Sequence, residues 1–278
     1  MFEAVDAALG HRTLAVWEGD AVTLRPIGKN MRRWFRRADV VFSQYGQPQP
    51  QKLLRLGAKR VHHLPATYCH VRFRQLEQTA PPKEFSSDVA MIASRNRNWT
   101  SWSGITGSRT RAQLGFDLRA SGRRLDLFGN GWPEKWGVGP VDFGKQGEII
   151  RRNRISVNWD ITPGYADSSS NRLPISLIAG RPHITTRHRG MEWIPSQDIG
   201  LFEEVSRADV VQRANELLTR DDEVLFQLGL SAHRWAKGRV SHREAIRYML
   251  QVMGYETTPV PQDPWGSLPG PWVQSEKN

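Results

Sequence analysis

The sequence holds a single cysteine, Cys69, in 278 residues. No internal disulfide can form. Zinc sites built from four cysteines, or from two cysteines and two histidines, are excluded as well. A reducing, cytoplasmic setting is expected. Long apolar runs are also missing. Stretches such as Leu173 to Ala179 fall far short of the ~20 residues that cross a bilayer as a helix, so no membrane span is expected. The first ten residues carry Glu3 and Asp6 and no basic segment, which argues against a signal peptide. Nucleotide motifs are scarce. There is no G-x-x-x-x-G-K-[ST], and the turn Gly129-Asn130-Gly131 has Glu134 where a dinucleotide fingerprint needs its third glycine. A P-loop is excluded and hydride transfer is disfavoured. No D-x-D triplet occurs, which argues against a donor held through a cation on such a triplet, and no metal site is expected.

What is present describes a globular chain. Hydrophobic residues make up 38% and charged residues 24%, unlike a disordered sequence. At roughly 100–200 residues per domain, two modest domains fit. The net charge is +11, and it is uneven: residues 1–86 hold 14 basic and 7 acidic side chains. A surface of this kind favours anionic partners, such as nucleic acid, phosphorylated donors or acidic protein. Solubility alone is the bland alternative.

Apolar patterning alternates between strands and helices. In the first third, Thr13–Trp17, Ala38–Ser43 and Arg60–Leu64 read as strands. Asn30–Arg37 and Gln49–Leu56 read as helices. The first of these helices places Met31, Trp34 and Phe35 on one face and Arg32, Arg33, Arg36 and Arg37 largely on the other. The stretch 75–86, with Pro81-Pro82, reads as a linker. Beyond it, Asp88–Ala93, Arg124–Phe128, Ile155–Trp159, His183–Thr186 and Ile199–Phe202 read as strands. Helices are expected at Ser108–Ala120, Gly147–Arg152 and Asn171–Ala179, and three more lie between Ala208 and Met253. Repeated β-α units predict a parallel sheet covered by helices, with ligands beyond the carboxyl ends of the strands. The tail from Thr257 is rich in proline, and its Trp265 and Trp272 suggest docking.

The strand ends carry the candidate site. Ser94-Arg95-Asn96 follows one strand, and Gly129-Asn130-Gly131-Trp132 follows another. Asp160 to Asn171 leads into a helix that opens at Arg172. Ser168, Ser169, Ser170 and Asn171 supply hydroxyl, amide and backbone N–H groups at a helix start, and Arg172 adds a planar cation suited to phosphate. An ordinary N-cap beside a surface arginine is the competing reading.

In order, the segments LFGNGW, RNRISVNWDI, SNRLPISLIAGRPHITT and ADVVQRANELLTRDDEVLFQLGLSAHRWAKGRVSHREAIRYML resemble the C-terminal half of glycosyltransferases with the GT-B fold. The nearest pattern is the group 1 branch that includes spore-maturation-type proteins and many phage-encoded enzymes. Upstream, RRADVVFSQYGQPQPQKLLRLGAKRVHHLPATYCHVRF is similar to the end of that family's N-terminal domain. The resemblance implies an α/β, GT-B-like fold. A Rossmann-like parallel sheet forms the C-terminal domain (87–256), preceded by a truncated Rossmann-like N-terminal domain (1–80) and a linker (81–86). A Pro/Trp-rich tail (257–278) follows.

The resemblance further implies a metal-independent hexosyltransferase with no cofactor. It would move a sugar from a nucleotide-sugar, a UDP- or GDP-sugar, to an acceptor protein, glycan or modified DNA. Arg95, Gly129, Asn130, Gly131, Asp160, Ser169, Ser170, Asn171 and Arg172 would bind the donor. Trp132 or Tyr165 would stack on it or serve packing. Asp20 or His70 would act as the catalytic base, with His11 as an alternative. The family places a glutamate three residues after the arginine of the donor helix, whereas here that position is Ile175, preceded by Pro174. Ribose contact then falls to Asp160, Asp167 or Ser176, or the donor differs from the family's. Three rival functions remain: a DNA-modifying transferase that uses the Arg32/Arg33/Arg36/Arg37 helix on phosphates, an inactive GT-B-like module that binds nucleotide-sugars, and, last because no DNA-reading motif is present, a plain nucleic-acid-binding protein.

Overall fold

The computed structural model describes residues 2–24, 26–95, 107–255, 265 and 268–274. Two mainly parallel sheets lie in succession along the chain. The first has the order β1-β2-β3-β9, built from β1 (Ala15–Glu18), β2 (Val40–Ser43), β3 (Arg60–His63) and β9 (Trp272–Val273). Its helices are α1 (Phe2–Leu9), α2 (Lys29–Arg37), α3 (Gln49–Arg55) and α4 (Arg74–Gln78). The second sheet has the order β5-β4-β6-β7-β8 and is parallel throughout. Its strands are β4 (Ser87–Ile92), β5 (Leu125–Phe128), β6 (Asn153–Val157), β7 (His183–Thr186) and β8 (Leu201–Glu204). Helices α5 (Gly107–Ala120), α6 (Gln146–Arg151), α7 (Arg172–Ala179), α8 (Arg207–Leu218) and α9 (Asp222–Ala236) belong to it, and α10 (His242–Val252) follows.

The apolar run of β4 explains its place inside the second sheet. Val89, Met91 and Ala90 are all buried, as a strand covered on both faces requires. Helix α7 buries every residue after Arg172. Pro174 is tolerated because it sits in the first turn, where a backbone N–H has no helical acceptor. Gly180 closes the helix at φ 78°, the left-handed cap that glycine adopts without strain.

Residues 79–86 join the halves, while 75–78, expected as linker, are the body of α4. Two buried arginines strap this joint down. Arg151 donates to Thr79 Oγ1 (2.6 Å) and Thr79 O (2.8 Å), and Arg181 donates to Pro82 O (2.7 Å) and Arg151 O. The Arg181 guanidinium also lies 4.5 Å from the Phe85 ring centroid. The chain then returns to its first half. Tyr248 of α10 meets Phe42 of β2, Trp265 is fully buried against Tyr248, and β9 pairs antiparallel with β3. The part of the tail at 257–264 lies outside the described residues. Among the described residues no helix is long and apolar enough to cross a membrane.

The basic face of α2 is not left bare. Arg33 pairs with Glu3 (2.5 Å) and Arg37 with Asp6 (2.6 Å), both from α1. Two of the four arginines expected to meet nucleic-acid phosphates are therefore held by carboxylates of this chain.

Candidate active site

The carboxyl ends of both sheets face one cleft of about 270 Å³. Gly19, after β1, and Gln44 and Tyr45, after β2, form one wall. Arg111, Asp160, Ser170 and Arg172 form the other. Backbone and side chains stitch the walls together at one end. Gln44 Nε2 donates to Ser169 O (2.8 Å), Gly46 N donates to Ala166 O (3.1 Å), and Thr23 Oγ1 meets Tyr165 OH. Tyr45 and Tyr165 pack edge to face at 5.4 Å. Gly46 is required there: a Cβ would fall 2.2 Å from Asp167 Oδ2.

Asp160 organises the second wall. It lies three residues past β6 and is buried. Its Oδ1 accepts from Asn158 Nδ2 (2.6 Å) and its Oδ2 from Ser170 N (3.2 Å). Thus the carboxylate pins the start of α7 to the end of β6. Its Oδ2 also lies 2.9 Å from His188 Nε2, and His188 Nδ1 lies 2.7 Å from Glu203 Oε1 on β8. Burial opposes charge on His188, yet the hydrogen bonds to Asp160 and Glu203 outweigh it and raise the imidazole pKa to about 9. Burial likewise opposes ionisation of Asp160. The hydrogen bond and charge of His188, then Arg111 and Ser170, outweigh that and hold the carboxyl well below its usual range. At neutral pH His188 is therefore an imidazolium and Asp160 a carboxylate.

Two guanidiniums stand on this base. Arg111 of α5 is 2% exposed, and its Nε donates to Trp159 O (2.6 Å). Its Nη2 is buried with no hydrogen-bond partner among the described residues. Burial, then the neighbouring charge of Arg172, lowers its pKa to about 9. Arg172 opens α7 and donates through Nε to Ile92 O. Burial weakens its charged form too, while Asp160 supports it. Each guanidinium is thus anchored through Nε, and both line the cleft beside the positive end of a helix dipole. Asp160 shares the His188 imidazolium with Glu203, and its charge also supports both guanidiniums. The arrangement gathers two guanidiniums and a helix N-terminus on one wall of the cleft.

Of the residues expected to bind donor, Asp160, Ser170, Asn171 and Arg172 line this cleft. Ser169 is buried and contributes its carbonyl to Gln44. Gly129, Asn130, Gly131 and Arg95 do not line it. A Cβ on Gly129 would meet Ala93 O at 2.4 Å, and one on Gly131 would meet Arg95 O at 2.3 Å. These glycines let two loops pack, and Arg95 N donates to Asn130 O (2.8 Å). The Arg95 guanidinium lies over Phe116 at 4.9 Å. Trp132 is buried and donates to Ala93 O (2.6 Å), so it is a packing residue. Asn96 lies outside the described residues.

Asp20 is exposed beside Gly19 at the rim, where its charge acts on Tyr45. His70 is not in the cleft; it lines a separate pocket with Arg74, Lys237 and Arg243. His11 is exposed beyond α1. Ile175, standing where the resembling family has glutamate, is buried in the core. Among the described residues no group of three His, Cys, Asp or Glu side chains could hold a metal ion.

Sequence reading missed Arg111, His188, Glu203, Gln44 and Tyr45. For Arg111 a signal existed: it shares the spacing of Leu114 and Leu118 on the buried face of α5. An arginine in that stripe needs a reason.

No family model matches this sequence, and no curated protein matches it. Solved structures do match in shape. HepE from Anabaena, in complex with UDP, is similar at TM-score 0.60 and 11% identity, over 91% of this chain and 75% of that one. Sucrose-phosphate synthase from Thermosynechococcus elongatus is similar at TM-score 0.53 and 14% identity, over 84% of this chain and 61% of that one. TarM from S. aureus, in a complex containing UDP, is similar at TM-score 0.57 and 11% identity, over 87% of this chain and 51% of that one. The chain therefore has the GT-B fold: two Rossmann-like units with a cleft between their strand ends.

Proposed function

We propose that the protein is a glycosyltransferase that takes a sugar from a UDP- or GDP-sugar, of the group 1 type suggested by its sequence. One observation carries this reading: Arg111 and Arg172 stand side by side in the cleft of a GT-B fold, each anchored through its Nε to a backbone carbonyl. HepE and TarM, which share the fold, were each solved with UDP bound. In transfer, the bond between the anomeric carbon and the β-phosphate oxygen breaks, and the nucleoside diphosphate leaves with the electron pair. The two guanidiniums and the N-terminus of α7 stabilise that charge. The acceptor oxygen bonds the anomeric carbon and gives its proton to a base, which we assign to Asp20 at the rim. The two guanidiniums supply the charge that would otherwise require a cation.

Thermal shift against UDP, GDP and dTDP tests the reading. One nucleotide should stabilise the wild type, by about 2.7 kcal/mol at a hundredfold excess over Kd. Arg172→Ala and Arg111→Ala should each abolish that gain. Stabilisation by no nucleotide would refute the donor site.

A further inference from the structure

A second pocket lies where α4 meets the junction of α9 and α10. It encloses about 410 Å³ and is walled by His70, Arg74, Glu77, Lys237 and Arg243 among others. Three cations face one carboxylate. Glu77 is nearly buried and lies 3.6 Å from Arg243. Arg74 and Lys237 have no ion-pair partner among the described residues, and His70 Nδ1 is buried there without a hydrogen-bond partner. The walls are held together: Tyr68 N donates to Val240 O (2.8 Å) and His242 N to Tyr68 O (2.8 Å). The cations are therefore presented on a fixed concave surface.

One contact links this pocket to the donor cleft: Arg72, between the pocket residues Val71 and Arg74, holds its guanidinium 5.3 Å from the ring centroid of Phe143, which lines the cleft. On the other side His242 packs edge to face on Trp17, two residues before Gly19 of the cleft wall. Among the described residues no Trp, Tyr or Phe lines the pocket, so they offer no platform on which nucleic-acid bases could stack. Concave cations suit a carboxylate or phosphate, and for a sugar-transferring enzyme an acceptor bearing such a group is an acidic glycan.

We propose that this pocket is an anion subsite for the acceptor, and that the acceptor is an acidic glycan whose negative group seats between Arg74, Lys237 and Arg243. The proposal rests on the glycosyltransferase reading for the word acceptor. UDP calorimetry on the wild type tests that reading separately.

The direct test follows the His70 ring by NMR on histidine-labelled protein. The probes are inorganic phosphate, a hyaluronan octasaccharide, neutral maltooctaose and a single-stranded dodecanucleotide. Phosphate should shift the His70 signals saturably in the wild type and in Arg172→Ala, whose donor site is disabled. The shift should vanish in the charge-reversed double variant Arg74→Glu/Lys237→Glu, which alters only exposed side chains and should melt near the wild-type temperature. The octasaccharide should bind at least tenfold more tightly than phosphate, and maltooctaose should leave His70 unmoved. An unmoved His70 in phosphate, or an unchanged shift in the double variant, would overturn the site. Octasaccharide binding no tighter than phosphate would overturn the acceptor and leave a free-anion site. Tighter binding of the dodecanucleotide would overturn the glycan in favour of nucleic acid.

Discussion

His188→Gln removes one buried charge while keeping an amide donor for Asp160. The folded imidazole has its pKa raised from 6.5 to about 9. At about 1.36 kcal/mol for each tenfold change in proton affinity, the imidazolium contributes about 3 kcal/mol. Because the folded pKa is raised, that stability is fully present below pH 6.5 and is lost as pH rises through about 9. The histidines with lowered pKa, His183, His63 and His62 among them, act below pH 6.5 and with the opposite sign. The raised tyrosines act only above pH 10. The window from 6.5 to 9 therefore belongs chiefly to His188. Urea unfolding from pH 6 to pH 10 should show the wild type losing about 3 kcal/mol across that window. His188→Gln should start lower by a similar amount, run flat to about pH 9 and converge with the wild type there; above that pH the lowered Arg111 lifts both curves alike. Parallel curves for the two proteins would refute the imidazolium.

Two further perturbations test how the halves are joined. Trp265→Ala empties a fully buried site whose indole donates to Arg239 O at 2.9 Å, and should cost about 3–5 kcal/mol by urea unfolding; deleting 258–278 should lower the melting temperature as well. Gly46→Ala forces a methyl group to within 2.9 Å of Ala166 O and should lift the 44–46 loop from the serine loop. Calorimetry should show UDP affinity falling about tenfold, or ~1.4 kcal/mol, and unchanged affinity would remove the cross-cleft contacts from the donor site.

The legible elements are those whose apolar pattern is continuous. β4 reads as a buried strand because both its faces are covered, and α7 reads to its end because Gly180 marks it. β6 begins two residues before its apolar run. Asn153 sits wholly inside the sheet, with its amide on Asp126 Oδ2 and Ile149 O, a polar start that hydropathy cannot show. β9 is two residues long and owes its existence to β3. Helix α1 is absent from the sequence reading, and with it the carboxylates that claim Arg33 and Arg37. In the site, Asp160, Ser170, Asn171 and Arg172 are legible because one loop carries all four. Arg111 and His188 reach it from distant segments, and only the fold brings them to Asp160. Gly129 and Gly131 have the look of donor contacts, yet the close approach they permit is to another loop of the same chain.

The buried arginines separate structure from function. Arg151 and Arg181 spend their donors on carbonyls and a hydroxyl of the joint, with Arg151 bonded to Ala179 O, Leu76 O and Thr79. Arg111 is as deeply buried, but among the described residues it has one bond, to Trp159 O, and an unpartnered Nη2. A buried cation left short of partners costs stability, whereas one fully bonded is costly to remove. Replacement by methionine should therefore act in opposite directions. Arg151→Met should lose about 3 kcal/mol or more in urea unfolding and, where folded, keep its UDP affinity. Arg111→Met should remain within about 1 kcal/mol of the wild type or exceed it, and should lose UDP binding. If Arg111→Met unfolds as readily as Arg151→Met, then Arg111 is a structural group and the anion site rests on Arg172 alone.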